Sequence, residues 1–399
     1  MTSEVLIMTP SAVAMAADSV VTINGNKTYE GVNKLFMLSK NPPMGIMIYN
    51  NANFITIPFE TLIKDFREQM MNENLNSVDD FRDEFKEYLE NEPQKNTMVM
   101  MSLQKKIEIF TDHMANEIND YNENTIDDWL INNSSLDVFD EYKNIIFSDD
   151  SLKNFNDSLN GIVPEFLNSD KKDQFLEIMR NLFVQIMFLE NFTGVAIVGF
   201  EKDKLFPSCT LFKIRYIYDD KFIFDDIEND SVGQKAVIFA PLAQTDVIES
   251  FFTSIDIVTE NHLKMFFSSV IDGYNYNLKQ LIQAEEDISP NDAKRIINIL
   301  DKAQSRHPNL NTAFDKFIGD IKKNNRSPIL SSIQFLPKDE LSNLAESLIN
   351  LTSLKRKVQD GLETVGGDVD VAIITKGDGF IWTKRKHYFK AELNPHYFE

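Results

Sequence analysis

The chain is poor in the residues that would place it in several large classes. It has one cysteine, Cys209, in 399 residues. No intrachain disulfide can form, and zinc sites of the CxxC type are excluded. Its five histidines, His113, His262, His307, His387 and His396, show no HxxxH or HExxH spacing. No metal and no cofactor is therefore expected. No run approaches the ~18 apolar residues that suggest a bilayer span, so no membrane partner is expected either. Basic residues are in deficit, with 40 Lys and Arg against 62 Asp and Glu and a net charge of −22. A surface this acidic repels phosphate backbones and anionic lipid, and nucleic acid is not expected as a partner. The basic run Lys384, Arg385 and Lys386 is short and reads as a solvated strand end. The opening MTSEVLIMTPSAVAMAAD makes a poor secretory signal. It has no basic start, it carries Glu4, and Thr9-Pro10-Ser11 interrupts its apolar part. It reads instead as two short strands, Glu4–Met8 and Ala12–Ala17, and a cytoplasmic location is expected.

What is present is enough for a large core: 43 % apolar and 26 % charged residues, a globular and not a disordered balance. Further strand-like runs follow at 34–38 (KLFML) and 45–49 (GIMIY), after a turn at Asn24-Gly25-Asn26. A helix is expected over Phe59–Met71, where Phe59, Leu62, Ile63, Phe66 and Met70 keep a 3.6 period behind Pro58. From 72 to 192 acidic helical segments dominate. The Met-rich run Met98–Met101 there reads as core filler more readily than as an adaptable surface. Strands resume at 194–201, 209–218, 221–226 and 235–243. Helical periodicity returns from Asp246 to about Asn324, with a polar, amphipathic stretch at 285–324. A helix over Lys338–Val358 shows Leu341, Leu344, Ala345, Leu348 and Leu351 on one face. Two strands, 369–375 and 380–386, flank a turn at Lys376-Gly377-Asp378-Gly379. This order predicts an α+β fold of two antiparallel sheets with helices packed outside and a helical insertion.

One constellation can carry chemistry. Thr2, Asp18 and Lys34 are spaced sixteen and sixteen residues apart. If the first two strands pair, the end of the second lies beside the start of the chain. Removal of Met1 would free the α-amine of Thr2. An N-terminal threonine holds a nucleophile, its Oγ, and a base, an α-amine that ordinarily titrates at ~7.7–8.0. A nearby Lys lowers the pKa of both, and a carboxylate keeps that Lys charged and oriented. Taken alone, an Asp after a strand is more often a turn residue, and a Lys before a strand is more often solvated.

The segment TSEVLIMTPSAVAMAADSVVTINGNKTYEGVNKLFMLSKNPPMGIMIYNNANF resembles the start of a proteasome β-type subunit, with Thr2, Asp18 and Lys34 on that family's positions. GVAIVGFEKDK resembles its central strand, and GLETVGGDVDVAIITKGDGFIW its final helix end, Gly-Gly turn and last strands. The resemblance implies a four-layer αββα Ntn-hydrolase sandwich, with 1–71, 193–284 and 336–399 forming its N-terminal, central and C-terminal parts. Residues 72–192 and 285–335 would be helical insertions. It implies a threonine peptidase that acylates Thr2 and then hydrolyses the ester. Thr2 would be nucleophile and, through its amine, base. Lys34 would tune it and Asp18 would hold Lys34. The backbone N–H of Tyr49 would stabilise the oxyanion, and Val21, Val32 and Met47 would line an apolar substrate pocket. It further implies peptide or unfolded protein as substrate, a homo-oligomer, and an AAA+ ATPase partner.

The supporting residues depart from that pattern. Ile48-Tyr49-Asn50-Asn51 stands where the family has a Gly-rich segment. Phe239-Ala240-Pro241-Leu242-Ala243-Gln244 stands where a Gly-Ser-Gly element enters a helix. Leu362 and Val365 stand where an Asp and a Ser lie, with only Asp360, Glu363 and Thr364 near. A catalytically inactive scaffold or binding module is the alternative reading.

Overall fold

The computed structural model describes residues 2–23, 27–54, 57–91, 103–119, 121–134, 137–189, 192–216, 222–233, 237–306, 309–359, 365–387 and 389–394. Met1, the turn expected at Asn24-Gly25-Asn26, the run Met98–Met101, and Asp360, Leu362, Glu363 and Thr364 lie outside them. The strands are β1 (Ser3–Met8), β2 (Val13–Ala17), β3 (Val21–Ile23), β4 (Lys27–Tyr29), β5 (Leu35–Lys40), β6 (Pro43–Asn50), β7 (Asn53–Phe54), β8 (Ile57–Pro58), β9 (Phe192–Gly199), β10 (Ser208–Tyr216), β11 (Phe222–Ser231), β12 (Ile238–Ala243), β13 (Asp370–Thr375) and β14 (Gly379–Lys384). The helices are α1 (Phe59–Gln69), α2 (Val78–Asn91), α3 (Leu103–Ile118), α4 (Glu123–Asn133), α5 (Phe139–Ile146), α6 (Asp149–Asn160), α7 (Ser169–Val184), α8 (Asp246–Thr253), α9 (Ile257–Ala284), α10 (Pro290–Arg306), α11 (Asn309–Ile333) and α12 (Lys338–Val358).

The fold is α+β with antiparallel sheets. One sheet has the order β12-β1-β2-β13-β14 and the other β11-β10-β9-β6-β5. β1 is apolar from Val5 to Met8 and wholly buried, which is how a strand reads when both its faces are covered. Register decides which residue goes where. Leu6 pairs with Met15, and Met15 with Ala372. These three share a core with Leu35, Met47, Ala196 and Leu211 of the second sheet. Their neighbours Val5, Ala16 and Val371 face the opposite way, against Leu341, Ala345 and Leu348 of α12 and Phe252 of α8. The period of two makes both assignments at once.

The outer face of the second sheet carries Ile46, Ile48, Ile197 and Phe212, which pack with Phe59, Phe66, Phe81 and Phe85 of α1 and α2. α3 to α7 bury a core of their own around Phe110, Phe155, Phe175 and Phe183, joined by Ile223 of β11. α9 has no buried residue along its length. The start of α1 at Phe59 and both ends of α12 agree with the sequence periodicity, and α1 gives way to a 3₁₀ turn at Met70–Asn72. Among the described residues, no helix is long and apolar enough to cross a membrane.

Candidate functional site

Thr2, Asp18 and Lys34 converge at one end of the paired sheets. Pairing of Glu4 with Ala17 brings the end of β2 beside the start of β1. The backbone N–H of Ser3 then donates to Asp18 Oδ1 at 3.1 Å, and the N–H groups of Val20 and Gly366 donate to Oδ2, each at 3.2 Å. Asp18 is thus held by three separate parts of the chain. The Gly366-Gly367 turn must approach closely to do this. Gly367 has φ +69°, and a Cβ there would lie 2.4 Å from Ser19 Oγ, so only glycine fits.

Lys34 precedes β5, and its carbonyl accepts the N–H of Ile48 at 2.9 Å. Its side chain is 1 % exposed, where an unpaired ammonium would be costly. Its Nζ meets Asp18 Oδ1 at 2.5 Å, the carbonyl of Val20 at 2.7 Å and Glu4 Oε1 at 3.7 Å.

Thr2 is 2 % exposed. Its hydroxyl donates to Glu4 Oε2 at 3.2 Å and accepts the backbone N–H of Asn50 at 3.3 Å. Asn50 ends β6 with φ +71°, a left-handed conformation that asparagine tolerates better than most residues. Its side-chain amide donates to the carbonyl of Phe192 at 2.8 Å, which fixes the turn.

Glu4 and Asn50 are not singled out by sequence reasoning. Glu4 carries a signal all the same: it is a charged residue at the start of an otherwise apolar strand, on the same face as Thr2 and Leu6. Two carboxyl groups share one ammonium, so ionising both would leave a buried excess of negative charge. Burial pushes the Glu4 carboxyl up to about 8, with Lys34 opposing the rise and Asp18 adding to it. Burial, with a smaller contribution from Glu4, also pushes the Tyr49 phenol up to about 12.

The remaining expected residues fall as follows. The N–H that reaches Thr2 Oγ1 belongs to Asn50, one residue beyond Tyr49. The Tyr49 ring instead covers Gly194, where a Cβ would lie 2.0 Å from it. Val21 and Val32 are half-buried in the segment between Asp18 and Lys34. Met47 is wholly buried in the core between the sheets. It does not line an open pocket, because its parity on β6 turns it toward the first sheet. In the stretch Phe239–Gln244, β12 runs to Ala243 and pairs along β1, and the chain enters α8 two residues after Gln244.

Of the run Lys384, Arg385 and Lys386, Lys384 ends β14 as an exposed residue, as expected, while Arg385 and Lys386 turn to a buried partner. Arg385 donates to Asp370 at 2.8 Å, and the backbone N–H and Nζ of Lys386 bind the same buried carboxylate. Burial holds the Lys386 ammonium below the usual lysine range, against the pull of Asp370. Among the described residues, no group of three or more His, Cys, Asp or Glu is placed to hold a metal ion.

No family model matches the chain, and no curated protein matches it. Solved structures with similarity include Anbu (ancestral beta-subunit) from Yersinia bercovieri, at 9 % identity and TM-score 0.31, covering 99 % of this chain and 93 % of that one. Anbu from Hyphomicrobium sp. strain MC1 has 9 % identity and TM-score 0.31, over 97 % and 86 %. The helical assembly of the Anbu complex from Pseudomonas aeruginosa has 7 % identity and TM-score 0.31, over 99 % and 92 %. These findings correct the resemblance to proteasome β-type subunits. The neighbours are Anbu proteins, proteasome-like but a distinct family. Similarity this low carries no argument about activity.

Proposed function

We propose that this chain is an N-terminal-threonine hydrolase, cleaving amide bonds through an acyl-enzyme on Thr2 after removal of Met1. The observation that carries this reading is the hydroxyl of Thr2 held between the Asn50 N–H and the Glu4 carboxylate, with Glu4 in turn facing a buried Lys34 that Asp18 holds. Thr2 is the nucleophile. The Lys34 ammonium favours the anionic form of the hydroxyl by its field, and Asp18 orients Lys34. The oxyanion donor in this reading is the backbone N–H of Asn50 in place of that of Tyr49. Val21 and Val32 remain the proposed apolar contacts for substrate, a peptide or an unfolded protein.

Helices on the outer face of each sheet support a four-layer αββα arrangement. A homo-oligomer is also proposed. Exposed Met265, Phe266, Val270 and Tyr274 on α9 support it, and native mass spectrometry tests it.

The experiment for the activity is intact mass with a β-lactone probe. Loss of Met1 and one acyl adduct, absent in Thr2→Ala, is the expected result. Loss of Met1 with no adduct in a folded protein overturns the hydrolase. That outcome favours the second reading, an inactive scaffold.

A further inference from the structure

Glu4 lies two residues beyond Thr2 on the same extended segment, so the two side chains leave it on one face. Its Oε2 accepts the Thr2 hydroxyl at 3.2 Å. Its Oε1 has no hydrogen-bond partner among the described residues and stands 3.7 Å from Lys34 Nζ. A fully buried carboxylate with an unsatisfied oxygen is costly. A neutral residue at this position would spare the fold that cost. The charged groups facing Glu4 are Lys34 from the segment before β5, Asp18 from the end of β2 and the α-amino group at the start of the chain, which lowers its pKa as Lys34 does, with the Tyr49 phenol from β6. Burial outweighs Lys34 and leaves the carboxyl exchanging its proton near neutral pH, the condition under which a general base works best.

We propose that Glu4 is the general base that takes the hydroxyl proton of Thr2 as Thr2 attacks an amide carbonyl. This rests on the hydrolase reading above and replaces the α-amine as the proton acceptor. In the first step the Oγ1–C bond forms and the Oγ1 proton passes to Glu4 Oε2. The carbonyl π pair moves onto oxygen. Collapse re-forms C=O and breaks the C–N bond, and Glu4 returns the proton to the departing nitrogen. Water then attacks the ester and gives its proton to Glu4. The C–Oγ1 bond breaks and Thr2 Oγ1 recovers the proton, leaving a carboxylic acid and the starting enzyme.

The test is the rate of Thr2 acylation by a β-lactone, followed by intact mass from about pH 5 to pH 10 across the titration ranges of both candidate bases. The lactone needs only the hydroxyl, so the amine takes no part in the adduct. Wild type should show a rising limb above the ordinary carboxylate range, as burial raises the Glu4 carboxyl. An α-amine would titrate at ~7.7–8.0, so the limb alone does not separate the two bases, but Glu4→Gln does. It should label roughly 100-fold more slowly and lose the limb, with near-UV circular dichroism reporting an intact fold. Glu4→Asp keeps a carboxylate one methylene shorter and should label slowly with the limb retained. If Glu4→Gln keeps rate and limb, or Glu4→Asp labels as fast as wild type, Glu4 is not the base while the hydrolase stands. If wild type does not label at all, the hydrolase reading fails and this inference fails with it.

Discussion

Lys34 Nζ and Asp18 Oδ1 lie 2.5 Å apart, both side chains essentially excluded from solvent, across sixteen residues of chain. The pair joins the end of the first sheet's second strand to the start of the second sheet's edge strand. Asp18 also binds N–H groups from residue 3, residue 20 and residue 366. Substitutions in this cluster should therefore affect the whole sheet body.

Lys34→Met removes the side-chain cation that, among the described residues, pairs with the buried carboxylates of Glu4 and Asp18. Breaking a buried pair by removing one partner costs about 3–5 kcal/mol, and urea denaturation should show a loss of that size. Lys34→Arg should recover little of it, because a planar fork cannot occupy the site of a compact ammonium.

Glu4 makes stability depend on pH. Its folded pKa, about 8, lies above its ordinary value of 4.5, so the folded state binds the proton more tightly than the unfolded state does. Its contribution is fully present below the ordinary value and is lost as pH rises through about 8. Glu4→Gln removes this loss. Its advantage over wild type should grow across that window by on the order of a few kcal/mol and stay level above it. Tm measured against pH for both proteins checks this.

The ring of Tyr49 covers Gly194, its nearest carbon 2.0 Å from where a Cβ would sit. Gly194→Ala should destabilise by about 1–3 kcal/mol through overpacking. Tyr49→Leu in the same chain should relieve part of that, and a double-mutant cycle should give a coupling of at least ~0.5 kcal/mol. Additive costs would argue against the contact.

Phe183 of α7 meets the rings of Phe110, Phe147, Phe155 and Phe188. Phe183→Ala should cost about 3–5 kcal/mol by leaving a cavity. Limited proteolysis should then cut within α3 to α7 before it cuts the sheet body, since those helices bury a core of their own.

Much of the local structure is legible in the residues. Apolar periodicity marks α1 and α12 and the strands of the first hairpin. The equal spacing of Thr2, Asp18 and Lys34 draws attention to three positions that the structure brings into one cluster. Glu4 escapes notice because its role depends on what lies across the gap between the sheets, and a strand carries no mark of its opposite face. Met47 misleads for the same reason: an apolar residue looks alike in a core and in a pocket. Lys386 reads as solvated because nothing local to KRK reveals Asp370, whose carboxylate it meets through the pairing of β13 and β14.

The sequence alone determined the absence of disulfide pairing, the acidic surface, and the alternation of strand and helix, because these follow from composition and from periods of two and 3.6 residues. Tertiary structure decided the rest. Packing of the two sheets set Glu4, beside Thr2 on its own strand, against Lys34, and burial then moved the Glu4 carboxyl into the range where it can exchange a proton. That shift comes from the solvent and charges removed or gathered around one side chain, which no stretch of sequence encodes by itself.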